Sequence, residues 1–255
     1  MPSIAELRAV TQPESLLARP GAEHWAGRLY MRRLSPYLTR ALVATPVSAD
    51  AVTALMIPTG LLAALTLTFA GVLPALAAVA LVQLQLLLDC SDGEVARWRR
   101  TFSARGPYLD QMAHYATEAA LPAALGVRAD GGFGSIGGWT AVGLGVSLLV
   151  LVLKSETHLA ELARARAGRE PSRAEPDPAA KPGGRVRLRE GARLLPFLRP
   201  FQAVEATLLA LAGAVADAIA GGLVGSRVLV LALAAAAVAA VIGNLLAILA
   251  SDRLR

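Results

Sequence analysis

Six runs of apolar residues, separated by polar stretches, organise the chain: approximately 50–70, 73–91, 108–127, 138–154, 202–221 and 228–250. Each is near the length a helix needs to cross about 30 Å of hydrocarbon. The runs are rich in Ala, Leu and Val and lack period-two alternation, which argues against strands. The pattern therefore predicts an all-α integral membrane protein with six transmembrane helices. Ahead of them, over 25–46, Tyr30, Met31, Leu34, Tyr37, Leu38, Ala41 and Leu42 fall on one side of a helical wheel, with Arg28, Arg32, Arg33 and Arg40 on the other. This reads as an interfacial amphipathic helix, kinked at Pro36; a helix packed on the cytosolic ends of the bundle fits the same pattern. Residues 1–24 read as a flexible cytosolic N-terminus and 47–255 as the six-helix domain. That domain is interrupted at about 155–200 by a cytosolic loop rich in Arg, Pro, Gly and Glu, helical only at its start.

Composition agrees with the pattern. The 255 residues are 55% hydrophobic and only 5% aromatic, with a mean hydropathy of +0.52, too apolar for a soluble domain. The first 45 residues carry charges throughout and lack the apolar core of a signal peptide. Charge orients the bundle. Of 25 Lys and Arg, 23 lie before the first run, between the second and third, between the fourth and fifth, or after the last. Only Arg128 and Arg227 fall in the other loops. The positive-inside rule then places both termini, and the junction between runs two and three, in the cytosol. A net charge of +6 and a pI near 10.2 are explained by this flanking charge, which also attracts anionic lipid, so nucleic acid is not an expected partner. The lone Cys90 excludes an intramolecular disulfide. Gly132-Phe-Gly-Ser-Ile-Gly137 matches a dinucleotide-binding pattern but follows no strand, and reads as a flexible turn.

The chemistry sits at the junction of runs two and three. Asp89, Asp92, Gly93, Ala96 and Arg97 share one helical stripe, and Gly106, Asp110 and His114 form a second at i, i+4, i+8. Ionisable groups this close to hydrocarbon are costly and are normally kept for function or mutual pairing. Asp89 and Asp92, one turn apart, can jointly hold a cation, and Asp110 would add a third carboxylate. Hard oxygen ligands without a thiolate favour Mg²⁺ or Mn²⁺. Gly93 and Ala96 keep the face low, and Arg97 supplies a fork of donors for phosphate oxygens.

The string Asp89-x2-Asp92-Gly93-x2-Ala96-Arg97-x8-Gly106-x3-Asp110 resembles the signature of the CDP-alcohol phosphotransferase family, D-x2-D-G-x2-A-R-x8-G-x3-D-x3-D. The surroundings agree over about residues 25–252. Ser48-Ala49-Asp50-Ala51-Val52-Thr53 resembles the family's T-P-N-x-V-T stretch, with its proline and asparagine replaced. The resemblance implies a membrane-embedded homodimer that uses a divalent metal. It would move a phosphoalcohol from a CDP-linked donor, CDP-diacylglycerol by family frequency, to an acceptor hydroxyl and release CMP. Asp89, Asp92 and Asp110 would be metal ligands. Asp92, Gly93, Ala96, Arg97 and Gly106 would bind the cytidine diphosphate.

The departure is at the last position, where the family has a fourth aspartate and this chain has His114. Imidazole can both ligate a metal and serve as the base for the acceptor hydroxyl. Glu118, one turn on, is the candidate to orient it. Lys154 and Arg199 are candidates for binding a phosphorylated acceptor, and Gln202 and Glu205 either line the pocket or cap their helix. Two other readings are a catalytically silent relative that binds CDP-lipid or nucleotide, and a small cation-coupled transporter.

Overall fold

The computed structural model describes residues 1–13, 24–168 and 199–250, and their regular structure is entirely helical. The elements are α1 (Ile4–Thr11), a π-helical turn (Gly27–Met31) running into α2 (Arg32–Val43), α3 (Ala49–Leu67), α4 (Val72–Arg99), α5 (Arg105–Asp130), a 3₁₀ turn (Phe133–Ser135), α6 (Gly138–Arg166), α7 (Ala203–Ala220) and α8 (Val224–Leu249). Five of them, α3, α4, α6, α7 and α8, are long and apolar enough to cross a membrane, so the chain is an integral membrane protein. The expected third span falls within α5. At 26 residues, or about 39 Å, it is long enough to cross. It is less apolar because it carries Asp110, His114, Glu118, Arg128 and Asp130.

The bundle explains how α5 tolerates that polarity. Neighbour contacts close a ring, α3–α4–α7–α8–α6–α5 and back to α3, and α5 also touches α7 and α8. Leu121, Pro122 and every residue from Ala124 to Ala129 are buried. Two glycines set the closest crossing. A Cβ on Gly143 of α6 would stand 2.5 Å from the Pro122 carbonyl oxygen and 2.9 Å from Gly126 Cα of α5. At the end of the bundle away from the acidic cluster, Arg128 is fully buried in the last turn of α5 rather than in a loop. It donates to Ser226 Oγ (3.0 Å) and the Phe69 carbonyl (2.6 Å), and faces Asp217 at 3.8 Å. The Gly132–Gly137 stretch is a turn, as the sequence suggests. Asp130 caps α6 behind it, accepting from Gly137 N (2.8 Å) and Thr140 N (2.7 Å).

The N-terminal region departs from expectation. Ile4–Thr11 is a helix, opened by a capping box in which Ser3 Oγ accepts from Glu6 N and the Glu6 carboxylate accepts from Ser3 N. Those hydrogen bonds from Ser3, the backbone one foremost, hold the Glu6 carboxyl below its ordinary value. Residues 14–23 lie outside the described residues, as does 169–198, which holds most of the expected cytosolic loop. The start of that loop is helical as expected, since α6 runs on to Arg166. In α2 and the turn before it Arg28, Arg33 and Arg40 are exposed and Met31 is buried, while Ser35, Pro36 and Thr39 form the most buried stripe and Leu34 (50%) and Tyr37 (61%) face outward. Pro36 stays within α2, with the π-helical turn just before it.

Candidate metal and phosphate site

The helix that begins as a span does not stop at the hydrocarbon edge. α4 continues to Arg99, so both aspartates, Gly93, Ala96 and Arg97 project from one rigid element. It ends abruptly at Arg100, a non-glycine in the left-handed region (φ 55°), and the chain re-enters helix at Arg105. Arg99 binds the turn below. It donates to the Val47 carbonyl and to the carbonyls of Leu42 (3.1 Å) and Thr45 (2.6 Å), which lie at the C-terminal end of α2.

Asp89, Asp110 and His114 converge, with one ligand atom from each within 4.8 Å of the others. His114 Nε2 lies 3.3 Å from Asp110 Oδ1. That oxygen is buried and accepts no hydrogen bond. Its nearest charged partner is the His114 ring, and the group of three offers one oxygen from each carboxylate and a ring nitrogen to a cation. Two carboxylates and an imidazole suit a divalent ion of the Mg²⁺ or Mn²⁺ class, with Mn²⁺ favoured by the nitrogen donor. Asp92 is not one of the three. Thr53 Oγ1 donates to Asp92 Oδ2 at 2.5 Å, and Gly93 N donates to Asp92 Oδ1. Thr53 closes the Ser48–Thr53 stretch, which gives that residue a role the sequence left unassigned. In the same stretch Asp50 accepts from Ser103 Oγ at 2.7 Å and flanks Gly106, whose absent Cβ would stand 3.5 Å from Asp50 Oδ1.

The space above Gly93 is filled from within. A Cβ there would stand 3.0 and 3.2 Å from Arg97 Nη1 and Nη2, so this glycine admits the guanidinium of Arg97 itself. Arg97 Nε donates to the Thr11 carbonyl at 2.7 Å. Behind the same helix lies a carboxylate the sequence reading passed over. Glu94 is fully buried and accepts from Ser35 Oγ (2.6 Å), Thr39 Oγ1 (2.7 Å) and Gln12 Nε2 (2.8 Å), with Arg32 at 3.5 Å.

Glu118 lies 3.7 Å from His114 Nδ1, beyond hydrogen-bond reach, and pairs at 2.8 Å with Lys154. Lys154 also stands over the Tyr115 ring, 5.2 Å from its centre. Lys154 is therefore at the cluster, already bound to a carboxylate. Arg199 is half-buried just before α7, where its carbonyl accepts from Gln202 N at 3.0 Å. Glu205 neither caps its helix nor stands apart. It is buried against Trp25 Nε1 (2.8 Å) and His24 Nε2 (3.0 Å), tying the start of α7 to the segment before α2.

The family model described as CDP-alcohol phosphatidyltransferase matches residues 47–174, a span that runs from just before α3 to beyond α6 and holds the whole acidic cluster. No curated protein matches the chain.

Proposed function

Since the chain belongs to the CDP-alcohol phosphatidyltransferase family, we propose that it moves a phosphatidyl group from a CDP-linked lipid, CDP-diacylglycerol, to an acceptor hydroxyl in phospholipid synthesis. The observation that carries this reading is the convergence of Asp89, Asp110 and His114 within 4.8 Å, beside an Asp92 anchored by Thr53. Asp89 and Asp110, with His114 when no acceptor is present, would hold Mg²⁺ or Mn²⁺. That ion supplies charge neutralisation for the phosphates of the donor.

The chain's own groups do the rest. Arg97 binds the diphosphate through its Nη1 and Nη2 fork. His114 accepts the acceptor's hydroxyl proton at Nε2, the ring nitrogen facing the cluster. The acceptor oxygen forms its bond to the β-phosphorus as the bond from that phosphorus to the bridging oxygen breaks. CMP leaves with the electron pair. Lys154 keeps Glu118 beside Nδ1 and retains two further N–H donors for a phosphorylated acceptor.

In the membrane, α5 is the sixth span, screened from lipid by its neighbours in the ring. The π-helical turn and α2 lie at the interface with Leu29, Leu34 and Tyr37 towards lipid, all half or more exposed in the chain alone. Both termini and the cluster face the cytosol, and the working unit is a homodimer.

CMP release by purified protein tests the reading. The assay uses CDP-diacylglycerol and Mg²⁺ or Mn²⁺, with glycerol phosphate, inositol phosphate, inositol, serine and phosphatidylglycerol as acceptors. Release abolished in Asp92→Asn supports transfer and names the acceptor. Metal-dependent donor binding with no CMP from any acceptor favours the silent relative.

A further inference from the structure

The N-terminal helix ends on the phosphate-binding arginine. Thr11 is the last residue of α1, and its carbonyl is one of those a helix leaves unpaired at its C-terminal, negative end. Arg97 Nε fills it at 2.7 Å. With Nε anchored there, the guanidinium plane is fixed, and Nη1 and Nη2 lie over the bare backbone of Gly93.

What holds Thr11 in place is equally specific. Thr11 is fully buried and donates from Oγ1 to the Leu7 carbonyl at 2.8 Å, and Leu7 is itself fully buried. The next residue, Gln12, directs its side-chain amide to two acceptors. One is the Arg32 carbonyl at 2.9 Å, which Pro36 cannot serve because it has no N–H. The other is buried Glu94 at 2.8 Å, one turn before Arg97 on the same helix. Arg8 adds a bond to the Arg33 carbonyl at 3.2 Å. α1 is thus docked by two carbonyls in the turn before Pro36 and by one carboxylate on the motif helix, and it delivers one acceptor to Arg97.

We infer that residues 3–12 are a strap that positions Arg97 for the donor's diphosphate, with Gln12 and the Thr11 carbonyl as positioning groups. This rests on the assignment of Arg97 to the diphosphate in the proposed function. Undocking the strap removes the Nε anchor and loosens the guanidinium, which weakens diphosphate binding without removing any group that touches it. By linkage, diphosphate binding tightens the docking of α1 by the same factor.

The test is a double-mutant cycle on CDP binding to the full-length protein, read by calorimetry with a thermal melt of every variant. Gln12→Ala weakens CDP binding about tenfold in the wild-type background. In the Arg97→Lys background, which keeps the charge but offers no Nε–H to Thr11, the same change costs less than about twofold. Leu7→Ala undocks α1 by another route and gives the same pair of results, which keeps the test decisive if Gln12→Ala melts early. Equal weakening in both backgrounds, or none in either, overturns the strap. If Arg97→Lys weakens CDP binding and the strap variants do not, the strap alone fails. If the unmodified protein binds no CDP and releases no CMP, the proposed function fails and the strap with it.

Discussion

Replacing Glu94 by alanine removes the acceptor for three hydrogen bonds at once, from Ser35 (2.6 Å), Thr39 (2.7 Å) and Gln12 (2.8 Å). Ser35 and Thr39 are fully buried, so water does not replace what is lost. An orphaned buried donor costs about 1–3 kcal/mol. The two hydroxyls recover part of this by turning to carbonyls of their own helix, whereas the Gln12 amide loses its contact with the motif helix. The expected cost is about 3 kcal/mol for alanine, and about 1 kcal/mol for Glu94→Gln, which keeps one acceptor oxygen. The damage is local, because the hydrogen bonds that Glu94 accepts among the described residues come from Gln12 after α1 and from α2. Amide exchange of the detergent-solubilised protein, read peptide by peptide, therefore speeds up about a hundredfold in α1 and the start of α2 and stays unchanged in α8. The reasoning is refuted if exchange in 4–11 rises less than threefold in Glu94→Ala, or if α8 loosens as much as α1.

Three further outcomes follow from backbone geometry. Arg100 holds a left-handed conformation at φ 55°, so Arg100→Gly raises the unfolding free energy by about 1 kcal/mol, read as a higher melting temperature. Gly143→Ala lowers stability by about 1–3 kcal/mol despite its better helix propensity, because the added methyl meets the Pro122 carbonyl at 2.5 Å and both contacts are backbone. Gly145→Ala, two residues on, meets nothing within 4 Å and stabilises by about 0.5–1 kcal/mol, so the two melts move in opposite directions.

The apolar pattern predicted the helices closely because membrane spans are set by length and composition. The run 50–70 became Ala49–Leu67, and 202–221 became Ala203–Ala220. α5 was legible as an element and less so as a span, since its polarity is offset by burial that only the ring of neighbours provides. The cluster was legible because Asp89, Asp110 and His114 sit at helical spacing on two helices, and two rigid helices preserve what spacing implies. What spacing could not show is which partner each group takes: Asp92 turned to Thr53, Glu118 to Lys154, Gly93 to Arg97. The strap was missed although Ser3-Ile-Ala-Glu6 is a capping-box signature. Its eight-residue helix is too short to register as periodicity, and its docking depends on a polar Gln12–Glu94 contact 82 positions apart.

The most direct test of the whole account is CMP release by wild type, His114→Ala and His114→Asp, under one donor, one acceptor and saturating Mn²⁺. A working transferase with His114 at its centre predicts turnover in wild type, a fall of about 10²–10⁴-fold in His114→Ala, and substantial recovery in His114→Asp, which restores the carboxylate of the family signature. Turnover in His114→Ala equal to wild type would contradict it.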